Sequence, residues 1–517
     1  MQRSMLFLLA LILASCQPGV YKHGNKNERA MAHLKANLEF LASDALKGRE
    51  TGSHDIKVAA EFIRSRLEMY GLQPYGENGS YFSNIPFQKQ GISDSSSITL
   101  IKGKTRGHYT VNRHFYAYRG GDSSYQGVEQ PLVFVRFGIE DSTFEYNDYK
   151  NLDIKGKTVV LLLGEPERQG DSTFFNGARP TKWSRSSAIK RKLAREKGAG
   201  GIIVLLSPRG MNMWKNMKRF MGSSKLGLAQ KQDHEIPEIL IDSTLARNMF
   251  DIRDLSYDQM YKKLQDPDYD GSVLNGRSIQ WNLKDQTEKI TGHNIVALLP
   301  GSDPALAGEY ILVGAHYDHL GMRNGQIYNG ADDNGSGTVV VMETARQMAH
   351  IKGNKRPVIF VWFTGEEKGL LGSKYMIEHA PFRDNIRAVV NMDMIGRESA
   401  DSIYVLASGL SSSAYHALVE EANKKSARFV FNYSLDSRDH PDRILYRSDH
   451  WSFAQKGIPT VFFTDYHHTD YHKASDDVDK INFLKLKKAV ELTRQTVLDA
   501  ANGSDDFIRD NWTEEAK

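Results

Sequence analysis

The sequence predicts an α/β fold with a mostly parallel central sheet flanked by helices, together with an inserted β-rich domain. Two observations support this prediction. From residue 294 onward, continuous apolar runs alternate with segments of helical periodicity, and such runs are typical of strands buried on both faces of a parallel sheet. Between residues 87 and 281 the pattern changes to short strands and polar turns. A chain of 517 residues can form one large hydrophobic core and a second domain.

The first residues of the chain, 1–16, have the features of an export signal. Arg3 supplies a short positive region, and the apolar run from Leu6 to Leu13 is too short to cross a bilayer as a mature helix. The run ends in Leu-Ala-Ser-Cys at residues 13–16, and small residues directly before a cysteine resemble the bacterial lipobox. Residues 17–27 are polar and contain proline and glycine, which is typical of a flexible tether.

The cysteine count favours a lipoprotein over an ordinary signal peptide. Cys16 is the only cysteine in the chain, so it cannot form an internal disulfide. We therefore expect Cys16 to be lipidated and to anchor the protein to a bilayer that the chain does not span. This predicts an exported bacterial lipoprotein on the periplasmic or cell-surface face of a membrane.

The larger domain is predicted to combine residues 28–86 with residues 282–502. Its first part contains two segments with apolar residues at helical spacing, Glu28 to Leu41 and Asp55 to Tyr70. Its second part contains four apolar strand runs, which are Ile311 to Ala315, Val358 to Phe363, Ala388 to Met392 and Thr460 to Phe463. Covering helices are predicted over Gly335 to Met348 and Phe483 to Ala500, and residues 503–517 form an acidic tail.

The predicted insert, residues 87–281, has its own buried strands. Thr158 to Leu163 and Ile202 to Leu206 are apolar runs, and Ala188 to Lys197 has helical character. A run of small residues that begins at Gly198 ends this helix. The sequence of the insert contains no cluster of metal-binding residues and no acid pair, which favours a packing or lid domain.

The charge of the chain excludes one class of partner. The net charge is +4 at pH 7, from 67 basic and 63 acidic residues that are interleaved along the chain. A nucleic-acid surface needs basic residues that are concentrated in a patch or stripe. We therefore expect no nucleic-acid partner, and the sequence leaves the oligomeric state open.

Six side chains with the chemistry of a metal site lie after the apolar runs of the larger domain. They are His316, Asp333, Glu366, Glu367, Asp393 and His472. Because sites in α/β sheets form at the carboxyl ends of the strands, we expect these side chains to converge. Histidine and carboxylate without cysteine suit zinc or a similar cation in a catalytic site. Five ligands are too many for one tetrahedral ion and suit two ions that share a carboxylate.

The motifs around these residues resemble, in order, those of the di-zinc aminopeptidases, a family that includes bacterial leucyl-type aminopeptidases and glutamate carboxypeptidase. The motifs are Gly314 to Asp318, the turn around Asp333, the pair Glu366–Glu367, Asn391 to Gly396 and Tyr471 to Asp476. The match extends from about residue 294 to residue 498, and the loop 41–53 resembles the family's opening segment. The insert resembles a protease-associated domain through residues 155–164 and 198–208. The resemblance implies a zinc-peptidase fold, two zinc ions per chain and peptide substrates.

The resemblance also implies a role for each ligand. One zinc would be held by His316 and Asp393, the other by Glu367 and His472, with Asp333 bridging both. Glu366 would keep its carboxylate free to act as general base. Asp332 is the competing residue for the bridge, and Asp333 is preferred because it directly precedes Asn334-Gly335-Ser336-Gly337. The family places its ligand there, and its peptide bond to the following residue is cis.

Other residues would support this site. Asp318, two residues after His316, would accept the hydrogen bond from the other ring nitrogen of that ligand. Tyr471 would stabilise the oxyanion. Ser448 to His450 would lie behind the ligands. Four further histidines are expected to be surface or packing residues: His319, His440, His467 and His468.

These observations predict an exported, lipid-anchored zinc aminopeptidase, and two alternatives remain open. A glutaminyl cyclase shares the fold and uses one zinc. A receptor-like protein, such as the transferrin receptor, has this architecture without the metal site. The complete ligand set favours two metals, although a dipeptidase or a carboxypeptidase would display the same ligands.

Overall fold

The structure is a computed structural model that describes residues 26–119, 125–166, 180–185, 187–214, 216–217, 225–229, 236–466, 468–503, 507 and 509–511. The chain divides into two compact units. Unit 1 comprises Met1–Ile85 and Thr291–Lys517, and unit 2 comprises Pro86–Ile290. Cys16, most of the predicted tether and most of the predicted tail lie outside the described residues.

The strands are numbered in chain order. They are β1 Gln73–Pro74, β2 Phe82–Ile92, β3 Ser97–Lys102, β4 Thr105–Thr110, β5 Phe115–Arg119, β6 Glu129–Phe134, β7 Glu140–Asp141, β8 Tyr146–Asn147, β9 Thr158–Leu162, β10 Gly201–Leu205, β11 Lys225–Leu228, β12 Glu238–Ile241, β13 Arg277–Asn282, β14 Asp285–Leu299, β15 Tyr310–His316, β16 Gly321–Arg323, β17 Gln326–Tyr328, β18 Val358–Phe363, β19 Ile386–Met392, β20 Ser402–Leu406, β21 Val430–Asn432 and β22 Thr460–Thr464.

The α-helices are numbered in the same way. They are α1 Lys26–Leu41, α2 His54–Met69, α3 Lys182–Arg185, α4 Ser187–Glu196, α5 Pro208–Asn212, α6 Ser243–Phe250, α7 Tyr257–Gln265, α8 Gly337–Ile351, α9 Leu371–His379, α10 Ser408–Ser411, α11 Ser413–Lys425, α12 His450–Ala454 and α13 Phe483–Asn502. The predicted strands and helices are each found to within a few residues. Among the described residues, no helix has both the length and the apolar character that crossing a membrane requires.

The sheet of unit 1 is parallel at its centre and has an antiparallel pair of strands on each side of that centre. Its strand order is β2-β14-β18-β15-β19-β22-β20-β21. Strands β18, β15, β19 and β22 are parallel to one another, β14 is antiparallel to β18, and β20 is antiparallel to β22 but parallel to β21. The sheet is therefore mixed, and the predicted parallel arrangement holds for its centre. An apolar run in the sequence indicates that a strand is buried on both faces, but it does not indicate whether the strand is parallel or antiparallel to its neighbours.

The central strands are buried because their side chains pack on both faces of the sheet. In β18, Phe360 and Trp362 belong to a core that includes residues of α8 and α13. Ile359, Val361 and Phe363 belong to a second core that includes residues of α9 and α12. Successive side chains of a strand point to opposite faces, so these helices cover opposite faces of the sheet.

Unit 2 has an eight-stranded sheet in the order β4-β3-β13-β6-β9-β10-β12-β5. The four strands β6, β9, β10 and β12 are parallel, and the remaining pairs are antiparallel. Helices α6 and α7 contribute to one of its two cores, which also contains Trp281. The insert is thus rich in strands, and its chain limits of 86 and 290 compare with the predicted 87 and 281.

Candidate metal centre

The side chains predicted to bind metal come together at one edge of the sheet of unit 1. His316 is the last residue of β15, Asp393 directly follows β19, and the pair Glu366–Glu367 lies in the loop after β18. These three strands are parallel, so their carboxyl ends meet at the same edge. Asp333 reaches this edge from the turn before α8, and His472 reaches it from the loop after β22.

The first group of potential ligands lies around the Nε2 atom of His316. Asp393 Oδ1 is 3.2 Å from this nitrogen, Asp333 Oδ1 is 3.5 Å away and Glu366 Oε2 is 3.9 Å away. The imidazole is buried, and its other nitrogen, Nδ1, lies 3.1 Å from the backbone carbonyl oxygen of Asp318. When Nδ1 donates that hydrogen bond, Nε2 carries the lone pair that a metal ligand needs.

The contact of Asp318 corrects one detail of the prediction. Its backbone carbonyl, not its carboxylate, accepts from the His316 ring, because Asp318 Oδ1 is 3.8 Å from Nδ1. The carboxylate instead accepts a hydrogen bond from the Thr51 hydroxyl at 2.6 Å and one from the backbone N–H of Glu366 at 3.2 Å. Asp318 therefore ties the loop that carries Glu366 to the end of β15.

The second group of potential ligands lies around the Nε2 atom of His472. Asp333 Oδ2 is 3.2 Å from this nitrogen and Glu367 Oε2 is 3.4 Å away. Asp333 therefore directs one carboxylate oxygen towards His316 and the other towards His472. This is the arrangement expected of a carboxylate that is shared by two cations.

The turn Ala331–Ser336 directs Asp333, and not Asp332, towards both groups. The carboxylate of Asp476 accepts hydrogen bonds from the backbone N–H groups of both aspartates. Asp332 Oδ1 accepts from the backbone N–H of Gly396, and Asp332 Oδ2 lies 3.1 Å from His468 Nε2. The carboxylate of Asp332 is thus engaged elsewhere. The peptide bond between Asp333 and Asn334 is cis, as the family resemblance implied.

Two adjacent carboxylates in the centre have opposite electrostatic environments. Burial raises the pKa of Glu366 well above its ordinary value, and nearby Asp393 and Glu367 add to this effect although His316 opposes it. Burial acts in the same direction on Glu367, but its contacts with His319 and His472 hold its pKa well below the ordinary value. Glu367 is therefore an ionised ligand candidate, whereas Glu366 readily holds a proton.

His472 carries a proton that a bound cation would displace. Burial lowers the pKa of His472, but contacts with Asp333 and Glu367 outweigh this effect and raise it to about 10. The ring of Tyr471 stacks on the imidazole with 3.9 Å between the ring centroids. Burial and the surrounding carboxylates raise the pKa of Tyr471 well above its ordinary value, so its phenol stays protonated at neutral pH.

A pocket opens beside both groups and has an apolar wall. Met394, Ile444, Phe462 and Tyr466 line it together with the carboxylates, and Arg447 lies at the same pocket. Such a pocket can accept an apolar side chain of a bound molecule next to the candidate metal ions.

His319 is a member of this centre that the sequence prediction missed. It was expected to be a surface or packing residue, but it is fully buried and its Nδ1 atom lies 2.8 Å from Glu367 Oε1. The available signal was its position three residues after His316, at the end of a buried strand. Of the other three histidines, His440 is partly buried and accepts a hydrogen bond from the backbone N–H of Asp442, His468 contacts the carboxylate of Asp332, and His467 lies outside the described residues.

Arg49 is a second residue whose importance only the structure reveals. Its guanidinium group is buried and donates to the backbone carbonyl groups of Leu41, Tyr317, Asn329 and Gly330. Burial lowers the pKa of Arg49 to about 10, although nearby carboxylates oppose this effect. Arg49 therefore connects the loop after α1 to the segments on either side of the candidate metal centre.

The donor set fits zinc. Ligand atoms of His316, Glu366 and Asp393 approach one another in one group, and those of His319, Asp333 and Glu367 approach one another in a second. Buried carboxylates need a cation or strong hydrogen bonds to stay ionised. Among the described residues, Glu367 Oε1 has no hydrogen-bond partner. Imidazole and carboxylate ligands without cysteine are the set that catalytic zinc sites use.

Comparisons with known proteins relate this part of the chain to peptidases. A family model described as peptidase family M28 matches residues 294–497. Aminopeptidase YwaD from Bacillus subtilis (strain 168) is 30% identical over 202 residues, which are 37% of this chain and 41% of that protein. Leucine aminopeptidase 2 from Arthroderma otae is 29% identical over 194 residues, 36% of each chain. The chain thus spans about two fifths of the length of these curated relatives.

Solved structures also resemble the chain over nearly its full length. An aminopeptidase from Aneurinibacillus sp. strain AM-1 superposes with a TM-score of 0.54 at 18% sequence identity, covering 94% of this chain and 97% of that chain. This likeness supports the mixed α/β fold. The family match covers the residues from His316 to His472 that form both groups of potential ligands. Residues 294–497 of this chain are therefore similar to peptidase family M28.

Proposed function

We propose that this protein is a zinc-dependent exopeptidase, and specifically an aminopeptidase that removes N-terminal residues from peptides. The observation that carries the proposal is the position of Asp333, whose two carboxylate oxygens lie 3.5 Å from His316 Nε2 and 3.2 Å from His472 Nε2. A shared carboxylate between two histidine-containing groups suits two zinc ions per chain. The names of the relatives, aminopeptidase and leucine aminopeptidase, favour action at a peptide N-terminus.

Each predicted ligand has a place in this proposal. His316 and Asp393 would hold one zinc, Glu367 and His472 would hold the other, and Asp333 would be shared between them. When bound, zinc polarises the carbonyl group of the scissile bond and makes water more acidic. The carboxylates that surround the site neutralise the charge of the two cations.

Glu366 acts as the general base. Its Oε2 atom is 3.9 Å from His316 Nε2, farther than the oxygens of Asp393 and Asp333 in the same group, which suits a base more than a ligand. Its carboxylate takes a proton from the attacking water and gives it to the leaving amine. The raised pKa of Glu366 favours this second transfer, because a protonated carboxyl group is needed to donate.

Two further residues complete the proposal. The phenol of Tyr471 keeps its proton at neutral pH, so it can donate a hydrogen bond to the oxyanion that forms from the scissile carbonyl group. Asp318 orients His316 through its backbone carbonyl and holds the loop of Glu366 through its carboxylate. Tyr471 would thus contact the reacting carbonyl group, whereas Asp318 would keep His316 and the loop of Glu366 in position.

The location of the protein is a proposal that rests on the sequence. We propose export, lipidation of Cys16 and attachment to a bilayer through that lipid, with residues 17–27 as a tether. Unit 2 is proposed to be a protease-associated domain. The partners are then peptide substrates and a lipid bilayer, and no nucleic acid.

Zinc content tests the proposed function directly. The purified protein is dialysed, and zinc per chain is measured by elemental analysis together with hydrolysis of amino-acid arylamides before and after chelation. We expect two zinc ions and hydrolysis that chelation abolishes. One zinc ion would favour a glutaminyl cyclase, and no zinc would favour a receptor-like protein.

A further inference from the structure

His319 is buried at the candidate metal centre without the hydrogen bonds that a buried imidazole needs. Its side chain is 0% exposed. Within the part of the chain that the structure describes, neither Nδ1 nor Nε2 has a hydrogen-bond partner. A buried polar atom without a partner destabilises the folded protein, so such an atom calls for an explanation.

The surroundings of His319 Nδ1 consist of two ligand candidates of the second group. Glu367 Oε1 lies 2.8 Å from Nδ1 and Asp333 Oδ2 lies 3.8 Å away. The shorter contact is within hydrogen-bonding range, but its geometry does not form a hydrogen bond, and Glu367 Oε1 is itself without a partner among the described residues. The three atoms approach one another without bonding to one another, which is the arrangement of donors directed at a common cation.

The spacing of these atoms agrees with that interpretation. Two donors that each lie about 2.0–2.1 Å from one tetrahedral zinc ion are separated by roughly 3.3 Å. The separations of Nδ1 from the two carboxylate oxygens, 2.8 Å and 3.8 Å, lie on either side of that value. The imidazole of His472 approaches the same two carboxylates, and the centroids of the two rings are 6.0 Å apart.

The chain holds His319 in place on several sides. Its backbone N–H donates to the carbonyl oxygen of Arg49 at 3.2 Å. A Cβ atom at Gly330 would lie 2.5 Å from Cγ and Cδ2 of the ring, so the ring fits only because residue 330 is glycine. By contrast, the side chain of His472 is 38% exposed. His319 is thus the more firmly positioned imidazole of the two.

We propose that His319 is an additional metal ligand, and that it completes the second group as a site with four protein ligands: His319, Asp333, Glu367 and His472. The inference rests on the proposed function, because it requires that two zinc ions bind. With His319 as a ligand, the second site has four protein ligands and the first site has three. Zinc sites that are closed by four protein ligands are typically structural, whereas catalytic sites keep a position open. The second site then retains its zinc more tightly, and the first site, beside Glu366, is the more accessible one.

The first test is a measurement of zinc affinity at each site by competition with a chromophoric chelator. The wild-type protein is expected to bind two zinc ions, one markedly more tightly. In the variant His319→Gln, we expect the affinity of the tight site to fall by more than about 100-fold, since loss of a supporting contact alone costs about 10–100-fold. The control is His416→Gln, which replaces a partly buried imidazole that contacts the Ser408 hydroxyl and none of the proposed ligands, and it is expected to keep both affinities.

A second variant supplies a spectroscopic signal that a supporting role would not produce. In His319→Cys the thiolate can reach the same position, because the longer zinc–sulfur bond of about 2.3 Å partly offsets the shorter side chain. This variant is made with Cys16→Ser, so that no other cysteine is present. After loading with Co²⁺, a thiolate-to-cobalt charge-transfer band is expected in the near ultraviolet, and the Cys16→Ser protein alone should lack it.

The outcomes separate the inference from the proposed function. Fewer than two zinc ions on the wild-type protein would overturn the proposed function, and the inference with it. Two zinc ions on the wild type, with unchanged affinities in His319→Gln, would overturn the inference alone. If His319→Gln fails to fold by circular dichroism, the cobalt-loaded His319→Cys protein decides, and a missing charge-transfer band in that folded, metal-loaded protein overturns the inference.

Discussion

At the scale of single residues, neighbouring carboxylates in this centre acquire different properties from their surroundings. Glu366 and Glu367 are adjacent in the chain, yet burial and nearby carboxylates raise the pKa of the first, whereas two histidines lower the pKa of the second. Pairs of titratable groups whose pKa values are moved apart by their environments are typical of acid–base centres. The two residues are therefore suited to separate tasks, proton transfer and metal binding.

The variant Glu366→Gln tests the first of these tasks. We expect kcat for an amino-acid arylamide to fall by about 10²–10⁴-fold, the usual contribution of a general base, because an amide cannot take up the proton. Zinc per chain should stay at the wild-type value, since Glu366 is not assigned as a ligand. Glu378→Gln, at an exposed position of α9, serves as the control. Activity within threefold of the wild type would exclude Glu366 as the base.

His450 provides a prediction for the pH dependence of stability. Burial lowers the pKa of His450 from 6.5 to about 3. The unfolded chain therefore binds a proton below pH 6.5 that the folded chain does not bind until about pH 3. Its contribution to the free energy of unfolding is fully present above pH 6.5 and is lost as the pH falls, by about 1.4 kcal/mol for each pH unit.

Urea unfolding of the wild type and of His450→Gln between pH 4 and pH 8 measures this slope. The variant is expected to be less stable at pH 8, and the difference between the two proteins should shrink as the pH falls. A constant difference across this range would show that the imidazole of His450 does not titrate differently in the folded and unfolded states.

At the scale of elements, turns rather than helices or strands bring the ligands into contact. The turn Ala331–Ser336 directs Asp333 into the centre, and Asp476 holds that turn by accepting two of its backbone N–H groups. Arg49 holds the adjoining segments by donating to their carbonyl groups. The centre thus depends on hydrogen bonds between loops that are far apart in sequence.

A substitution at Gly330 tests whether the candidate metal centre depends on the conformation of the adjacent turn. Gly330 has a φ of +57°, and a Cβ atom there would lie 2.1 Å from the carbonyl oxygen of Asp333. The variant Gly330→Ala is expected to lose at least one zinc ion per chain and to be destabilised by about 2 kcal/mol or more, because both the backbone conformation and the contact become unfavourable. Zinc analysis and thermal unfolding measure the two effects.

The matched control for this variant is Gly325→Ala in the hairpin of β16 and β17. Gly325 also has a positive φ of +77°, but a Cβ atom there would meet nothing within 4 Å. The variant Gly325→Ala should therefore lower the free energy of unfolding by about 1 kcal/mol and leave the zinc content unchanged. Equal zinc contents for the two variants would contradict the proposed role of the turn.

At the scale of the whole molecule, the candidate centre is built from one unit of the chain. All assigned ligands lie in unit 1, between residues 316 and 472, while residues 86–290 form unit 2. The first segment of unit 1 contributes through Arg49 and Thr51, which bond to residues more than 260 positions later. The insert therefore interrupts a unit whose two parts are joined at the centre.

The predicted lipid anchor is also a property of the whole molecule. In cells that express the full chain, the variant Cys16→Ser is expected to shift most of the protein from the membrane fraction to the soluble fraction, because the acyl chains that hold it are missing. The control Ser15→Ala keeps a small residue before the cysteine and should remain with the membrane. Equal membrane fractions for the wild type and Cys16→Ser would exclude lipidation of Cys16 as the anchor.

Much of the fold could be predicted because periodicity is a local signal. The run Val358 to Phe363 is a strand with the predicted limits, and the ligand candidates after it and after β15 and β19 converge because parallel strands end at one edge. The direction of the outer strands could not be predicted in this way, since a buried strand reads the same in either direction. The antiparallel strands that make this sheet mixed are therefore known only from the structure.

The sequence by itself determined the residue types, their order and the strand ends that carry them, and from these the α/β fold and the set of candidate ligands follow. Only the tertiary structure decided which atoms meet. It placed the backbone of Asp318 against His316, brought the unexpected His319 to Glu367, and buried Arg49 among the carbonyl groups of distant loops. The physical reason is that such contacts depend on turn geometry and on close packing between distant segments, neither of which leaves a periodic pattern in the chain.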